Sequence, residues 1–173
     1  MCSSYLDAAR VTTPVAADAS FSRTPGVVCA VLTADCLPVL FCDQEATVVA
    51  VAHAGWRGLA AGVLEATLSA MQLSPERVLA WLGPAIGPQA FEVGEEVRAQ
   101  FCNQDANAAR AFVAKPNGKW LADIYQLARI HLAAAGIRRV TSTNWCTVTQ
   151  SEKFFSYRRD GVTGRMASCI WLE

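Results

Sequence analysis

Charged side chains are scarce in this chain, 17% of its residues, and fifteen Lys and Arg are cancelled by fifteen Asp and Glu. Without a net charge there is no broad electrostatic field of the kind that sequence-independent binding to nucleic acid or to an anionic membrane draws on. Histidine is scarcer still. His53 and His131 are the only two, too few for a site that holds several histidine-ligated metal ions. No apolar run approaches the roughly 20 residues of a membrane-spanning helix, and the amino terminus has no basic stretch leading into an apolar one, so neither a span nor a leader is expected. Repeats and low-complexity tracts are absent.

What is present is a core. Hydrophobic residues make up 53% of 173 positions, which suits one compact globular domain binding a small molecule. The seven cysteines are odd in number, and Cys29, Cys36, Cys42 and Cys169 lie inside apolar runs. They read as free thiols packed as small hydrophobes, which implies a reducing, cytoplasmic setting.

Residues 1–15 show no sustained period and end in a Thr-Thr-Pro break, so they read as a lead-in or remnant before a single domain over 16–173. Val27–Thr33, Leu37–Cys42, Thr47–His53 and Val78–Leu82 are short, nearly continuous apolar runs, predicted as strands buried on both faces, with a hairpin turn at Asp43–Glu45. Leu59, Val63, Ala66, Leu68 and Ala70 predict a helix starting just beyond Gly55. Further helices are expected at Glu95–Phe101 and Asp123–Ala135, the latter stopped by Gly136, and last strands at Ile137–Ser142 and Met166–Leu172. The segment from Gly83 to Gly94 is too rich in Gly and Pro for regular structure, yet Ile86 and Phe91 suggest an ordered loop with buried anchors. The fold class is mixed α/β (α+β), with buried mixed sheets flanked by helices.

Cys36 stands between two of the strands and His53 closes another. If those strands are neighbours, a thiolate and an imidazole meet at their ends, a donor set suited to zinc or copper. The plainer reading is a packed cysteine and a turn histidine. The context of His53, AHAGWRG, favours the former: Gly55 lets a ligand approach the backbone, the helix start beyond it attracts anions, and Arg57 adds a fork for phosphate or carboxylate. Arg57 in water beside a capping turn is the alternative. A second basic cluster, Arg158, Arg159 and Arg165 among Phe154, Phe155 and Tyr157, either grips a phosphorylated or planar substrate or forms a surface network with Asp160 and Glu152. His131 reads as a partly buried helix residue with no catalytic role.

The segments TADCLPVLFC, VAHAGWRGLAAGV, WLGPAIGPQAFEVG, LADIYQLAR and CTVTQSEKFFSYRRDGVTGRMASCIWL together resemble the bacterial YfiH family, also called the laccase-domain or polyphenol-oxidase family, from about Ala16 to the carboxyl terminus. The resemblance implies a layered sandwich. It also implies purine nucleoside phosphorylase activity, with adenosine deaminase and methylthioadenosine phosphorylase activities beside it. Older labels are copper-dependent polyphenol oxidase and a peptidoglycan-editing role. The family's metal centre joins a histidine, a cysteine and a second histidine, and the last two correspond to Cys36 and His53. The first belongs to a segment preceding the stretch matched by Ala17–Ser20, and no histidine precedes Ala17 here. The resemblance therefore implies an amino-terminally truncated member with an incomplete site.

The resulting expectation is a phosphorylase acting on purine nucleoside and phosphate. Cys36, His53 and zinc (alternatively copper) would handle the base, with Arg57, Gly55, Arg158 and Arg159 on substrate and Glu92 as a candidate proton carrier. The alternatives are a copper polyphenol oxidase, a metal-independent Cys–His hydrolase, and an inactive binding remnant. An apolar edge left by a missing segment would favour a homodimer.

Overall fold

A computed structural model describes residues 5–7, 16–143 and 145–173. Most of the lead-in expected over 1–15 lies outside these residues; Tyr5–Asp7 of it forms strand β1. A six-stranded mixed sheet runs through the middle of the molecule. Its centre is antiparallel: β2 (Ala19–Ser22), β5 (Val49–Ala54), β4 (Leu37–Asp43) and β6 (Val78–Leu82), in that spatial order. At the margins β1 pairs in parallel with β2, and β10 (Arg139–Ser142) pairs in parallel with β6.

Both faces of the central strands are covered, which explains runs that are apolar throughout instead of alternating. Val39 and Phe41 of β4 and Ala50, Ala52 and Ala54 of β5 pack on one side with Leu59, Leu64, Met71, Ile124, Leu127 and Leu132. These last six come from helices α1 (Trp56–Ala60), α2 (Val63–Met71) and α4 (Ile124–Ala134). On the other side Val49 and Val51, with Leu40 and Cys42, meet Cys29, Val31 and Leu172. Here β3 (Cys29–Thr33) and β11 (Met166–Ile170) form an antiparallel two-stranded sheet. The layers are therefore helices, large sheet, small sheet, as the resemblance implied. Each fully buried Leu or Phe contributes roughly 1.5–3 kcal/mol.

The helix expected to run on from Gly55 is broken. Gly62 sits at φ 85, a left-handed conformation that interrupts helical hydrogen bonding, so a five-residue α1 precedes α2. The buried stripe of α2 is Val63, Leu64, Thr67 and Met71, displaced from the predicted one, and Ala66, Leu68 and Ala70 are only partly covered. The other two helices fall where predicted. α3 spans Glu95–Cys102, and α4 starts at Asp123, whose carboxylate accepts the Gln126 N–H at 2.9 Å, and ends before Gly136 at φ 83. Beside α3 a three-stranded sheet joins β7 (Glu92–Val93), β9 (Trp120–Ala122) and β8 (Phe112–Ala114). Strands of two or three residues leave no periodicity in the sequence, and these were not predicted.

Candidate active site

Cys36 immediately precedes β4. In the β4–β5 register Leu37 faces Ala54 and Pro38 faces His53, which places Cys36 across from Gly55. Side-chain alternation then puts Cys36 and His53 on the same face as diagonal neighbours. Gly55 makes their meeting feasible. A Cβ there would lie 2.9 Å from Cys36 Sγ and 3.7 Å from His53 Nε2, while its φ of −62 is open to any residue. Glycine is needed for space and not for backbone freedom.

Two acids that sequence reasoning did not single out position this pair. The His53 N–H donates to the Asp18 carbonyl at 2.7 Å, and His53 Nδ1 lies 3.4 Å from Asp18 Oδ1, which orients the ring with Nε2 towards Gly55 and Cys36. Asp35, 8% exposed, adopts φ 82 between β3 and β4 and so turns the chain that presents Cys36. Its carbonyl accepts the Ile86 N–H at 2.9 Å, its Oδ1 the Thr147 hydroxyl at 2.5 Å, and its Oδ2 the Arg158 N–H at 2.6 Å. One buried residue thus ties together the Cys36 turn, the Gly83–Gly94 loop through its backbone carbonyl, and the carboxyl-terminal arginine segment through its carboxylate. Ala85, Ile86 and Phe91 anchor that loop in the core as predicted.

Burial pushes the Cys36 thiol up from its ordinary pKa. Asp35 and Asp18 add to the rise, and Arg165 and Arg57 oppose it. A cation bound at the sulfur is what would make it a thiolate.

Beside the thiol lies a cavity of about 210 Å³ lined in part by Asp35, Cys36, Trp56, Arg57, Phe91 and Arg158. The Arg57 guanidinium stacks 4.4 Å over the Trp56 ring. Arg158 reaches the same space from α5 (Tyr157–Asp160), 5.7 Å over Phe91, with Nη1 donating to the Glu92 carbonyl at 3.0 Å. The structure therefore brings Cys36, Gly55, Arg57 and Arg158 together, with His53 adjoining. α1 is only five residues long, so the positive groups facing this cavity are the two guanidiniums and not a helix terminus.

Arg159 is not brought to the cavity. Its guanidinium donates to the carbonyls of Thr147, Val148 and Phe154 and pairs with Asp160, so it braces the loop that carries Arg158. Arg165 donates to the Thr163 and Gly164 carbonyls. The candidate proton carrier Glu92 is corrected as well. Hydrogen bonds from Lys115 and then Lys119 hold its carboxyl down to about 2, which keeps it ionised and turned to the lysines. His131 Nδ1 pairs with Glu65 Oε1 at 2.7 Å and meets Phe101 edge-on, a structural link between α4 and α2.

Among the described residues no group of three or more His, Cys, Asp and Glu is placed to hold a metal ion. Cys36 and the Nε2 of a carboxylate-oriented His53 suit zinc in donor type, but they are two donors where a catalytic zinc takes three from protein.

A layered α+β fold with a thiol, an imidazole and two arginines at one cleft defines a protein with a candidate small-molecule site. The family described as multi-copper polyphenol oxidoreductase laccase matches residues 4–173, and the chain belongs to it. It is 64% identical over 156 residues to the purine nucleoside phosphorylase YfiH of Escherichia coli, covering 90% of this chain and 64% of that protein. It is 56% identical to the Pseudomonas aeruginosa purine nucleoside phosphorylase PA4543, covering 91% and 65%. The crystal structure of Neisseria meningitidis protein NMB0706 superposes with a TM-score of 0.97 at 53% identity, over 99% of this chain and 72% of that one. The chain thus spans just under two thirds of the two phosphorylases it matches. Among the described residues no helix is long and apolar enough to cross a membrane.

Proposed function

We propose that the domain over 16–173 carries the catalytic face of a purine nucleoside phosphorylase, with Cys36 and His53 as two zinc ligands and Arg57 and Arg158 as phosphate anchors. The observation that carries this reading is the cavity in which two guanidiniums flank the Cys36 thiol. The phosphorylase names of close relatives support it.

Phosphorolysis forms a bond from a phosphate oxygen to the anomeric carbon and breaks the bond from that carbon to the purine nitrogen. The protein must hold the dianion below the sugar and stabilise the departing base. Stacked on Trp56 and Phe91, Arg57 and Arg158 have restricted freedom, so each can present a bidentate fork to phosphate with little further ordering. The exposed Tyr157 ring at the cavity's edge offers a face for the purine. Asp18 and Asp35 hold the ligand pair in register. Zinc at Cys36 and His53 would supply a Lewis acid for the charge that develops on the base. Adenosine, inosine and methylthioadenosine are the proposed substrates, and deamination of adenosine is a side reaction the same metal would allow. A reducing, cytoplasmic setting is proposed with it, from an odd number of cysteines of which Cys29, Cys36, Cys42 and Cys169 lie in apolar runs.

The test is release of hypoxanthine from inosine by zinc-loaded protein. Cys36→Ala and His53→Ala are each expected to lower kcat/KM at least 100-fold. Wild-type turnover in both variants would overturn the assignment. The oxidase alternative has a weak donor set, because Glu65 and Phe101 engage His131 and leave one histidine near Cys36. The metal-independent hydrolase needs a lowered thiol pKa, and that of Cys36 is raised.

A further inference from the structure

Cys146 and Gly87 face a cavity of about 430 Å³ shared with Gln89, Tyr125, Arg129 and Trp145, whereas Ile86 and Phe91, on either side of Gly87, line the cleft that holds Cys36. Gly87 and the thiol meet closely. The Gly87 N–H donates to Cys146 Sγ at 3.2 Å, and a Cβ on Gly87 would lie 2.9 Å from Cys146 Cβ and 3.0 Å from the sulfur. Only glycine lets the backbone come this near. A neutral thiol is a weak acceptor for an N–H group. Burial would raise the Cys146 pKa, but the Thr149 hydroxyl and the Thr149, Gly87 and Val148 N–H groups prevail and bring it below the ordinary thiol value. The sulfur is therefore more readily ionised than an ordinary thiol, which strengthens its hold on Gly87.

From Gly87 the contacts run to one of the two arginines of the cleft. The Gly87 carbonyl accepts the Phe91 N–H at 3.1 Å, the buried Phe91 ring lies under the Arg158 guanidinium at 5.7 Å, and the next carbonyl, of Glu92, accepts Arg158 Nη1 at 3.0 Å. The residue after Cys146 serves the other end of the same arginine. Thr147 donates its hydroxyl to Asp35 Oδ1 at 2.5 Å, while Asp35 Oδ2 accepts the Arg158 N–H. Ala85 keeps the two routes in register, bridging Cys146 and accepting the Thr147 N–H at 3.1 Å. We propose that Cys146 is a positioning residue for the phosphate anchor, its sulfur seating Gly87 and through it Phe91, so that the Arg158 guanidinium is held ready in the cleft. Cys146 itself touches no substrate. The proposal rests on the reading of Arg158 as a phosphate anchor.

The test is the phosphate dependence of inosine phosphorolysis by the zinc-loaded full chain, beside nuclear spin relaxation of the Arg158 Nε–H group, which needs no turnover. Cys146→Ala removes the acceptor. It should raise the KM for phosphate at least tenfold, leave kcat and the KM for inosine within about twofold, and loosen the Arg158 side chain. Cys146→Ser restores an acceptor and should recover most of the loss. Gly87→Ala should mimic Cys146→Ala, because its Cβ displaces the sulfur, and the double variant should be no worse than either single one. Cys169→Ser, exposed on β11, should behave as wild type. An unchanged KM for phosphate in Cys146→Ala, an Arg158 as rigid in that variant as in wild type, or equal losses of kcat and melting temperature in the alanine and serine variants would overturn the proposal. Wild-type protein that makes no ribose 1-phosphate would sink the phosphorylase reading instead, and the Arg158 relaxation would then decide the positioning role alone.

Discussion

At Gly55 a single missing methyl group leaves open the space between the Cys36 sulfur and the His53 imidazole. Since φ there is −62, alanine is tolerated by the backbone, and its Cβ meets Cys36 Sγ at 2.9 Å. Gly55→Ala is therefore expected to lower zinc affinity at least tenfold, by competition with a chromophoric chelator, while stability in urea changes by less than about 1 kcal/mol. Two adjacent arginines separate the same way. Arg158→Ala should raise the KM for phosphate with little change in melting temperature, whereas Arg159→Ala, which removes contacts to three carbonyls and Asp160, should lower the melting temperature first. That Cys36 and His53 lie at the ends of adjoining strands was legible from the apolar runs they border, while their reading as a ligand pair came from the family resemblance. Asp18 and Asp35 were not legible, because an isolated carboxylate gives no sign of which distant N–H it will accept.

At the scale of elements, the turns carry the buried charge. The β4–β5 hairpin closes on Asp43, 3% exposed, whose carboxylate accepts the Thr47 N–H at 2.6 Å, the Thr47 hydroxyl at 2.8 Å and the Val48 N–H at 3.1 Å, and pairs with Arg77 at 2.9 Å. Burial alone would raise its pKa, but the bonds from Thr47, Val48 and Arg77 prevail and hold it down to about 2. A folded pKa below the unfolded one gives stability that is complete above about pH 4 and is lost as pH falls through about 2. Urea midpoints should drop over that window, and Asp43→Asn, destabilised at neutral pH, should show a smaller drop. The Asp35 turn predicts a comparable loss: Asp35→Asn keeps the shape but weakens the acceptors for Thr147 and Arg158, costing roughly 1–3 kcal/mol and reducing kcat/KM. The hairpin was readable from its short polar loop between apolar runs. The break at Gly62 was not, since glycine is tolerated inside many helices and only tertiary packing sets this one at φ 85.

Across the whole molecule, continuous apolar runs such as Leu37–Cys42 announced buried sheets flanked by helices, and the layered arrangement came from the family resemblance. Which strands pair did not follow. β3 joins β11 from the far end of the chain instead of its neighbour β4, and a contact of that separation leaves no local signature. The arginine loop was for the same reason ambiguous between substrate and surface until Asp35 was seen to draw Arg158, and not Arg159, into the Cys36 cleft. The central claim is that this cleft uses phosphate as the nucleophile. Ribose 1-phosphate formed from inosine, measured as phosphate is raised from zero with zinc present, tests it most directly. The account predicts saturable formation equal to the hypoxanthine released and none without phosphate. Free ribose formed independently of phosphate, or no ribose 1-phosphate at any concentration, would contradict it.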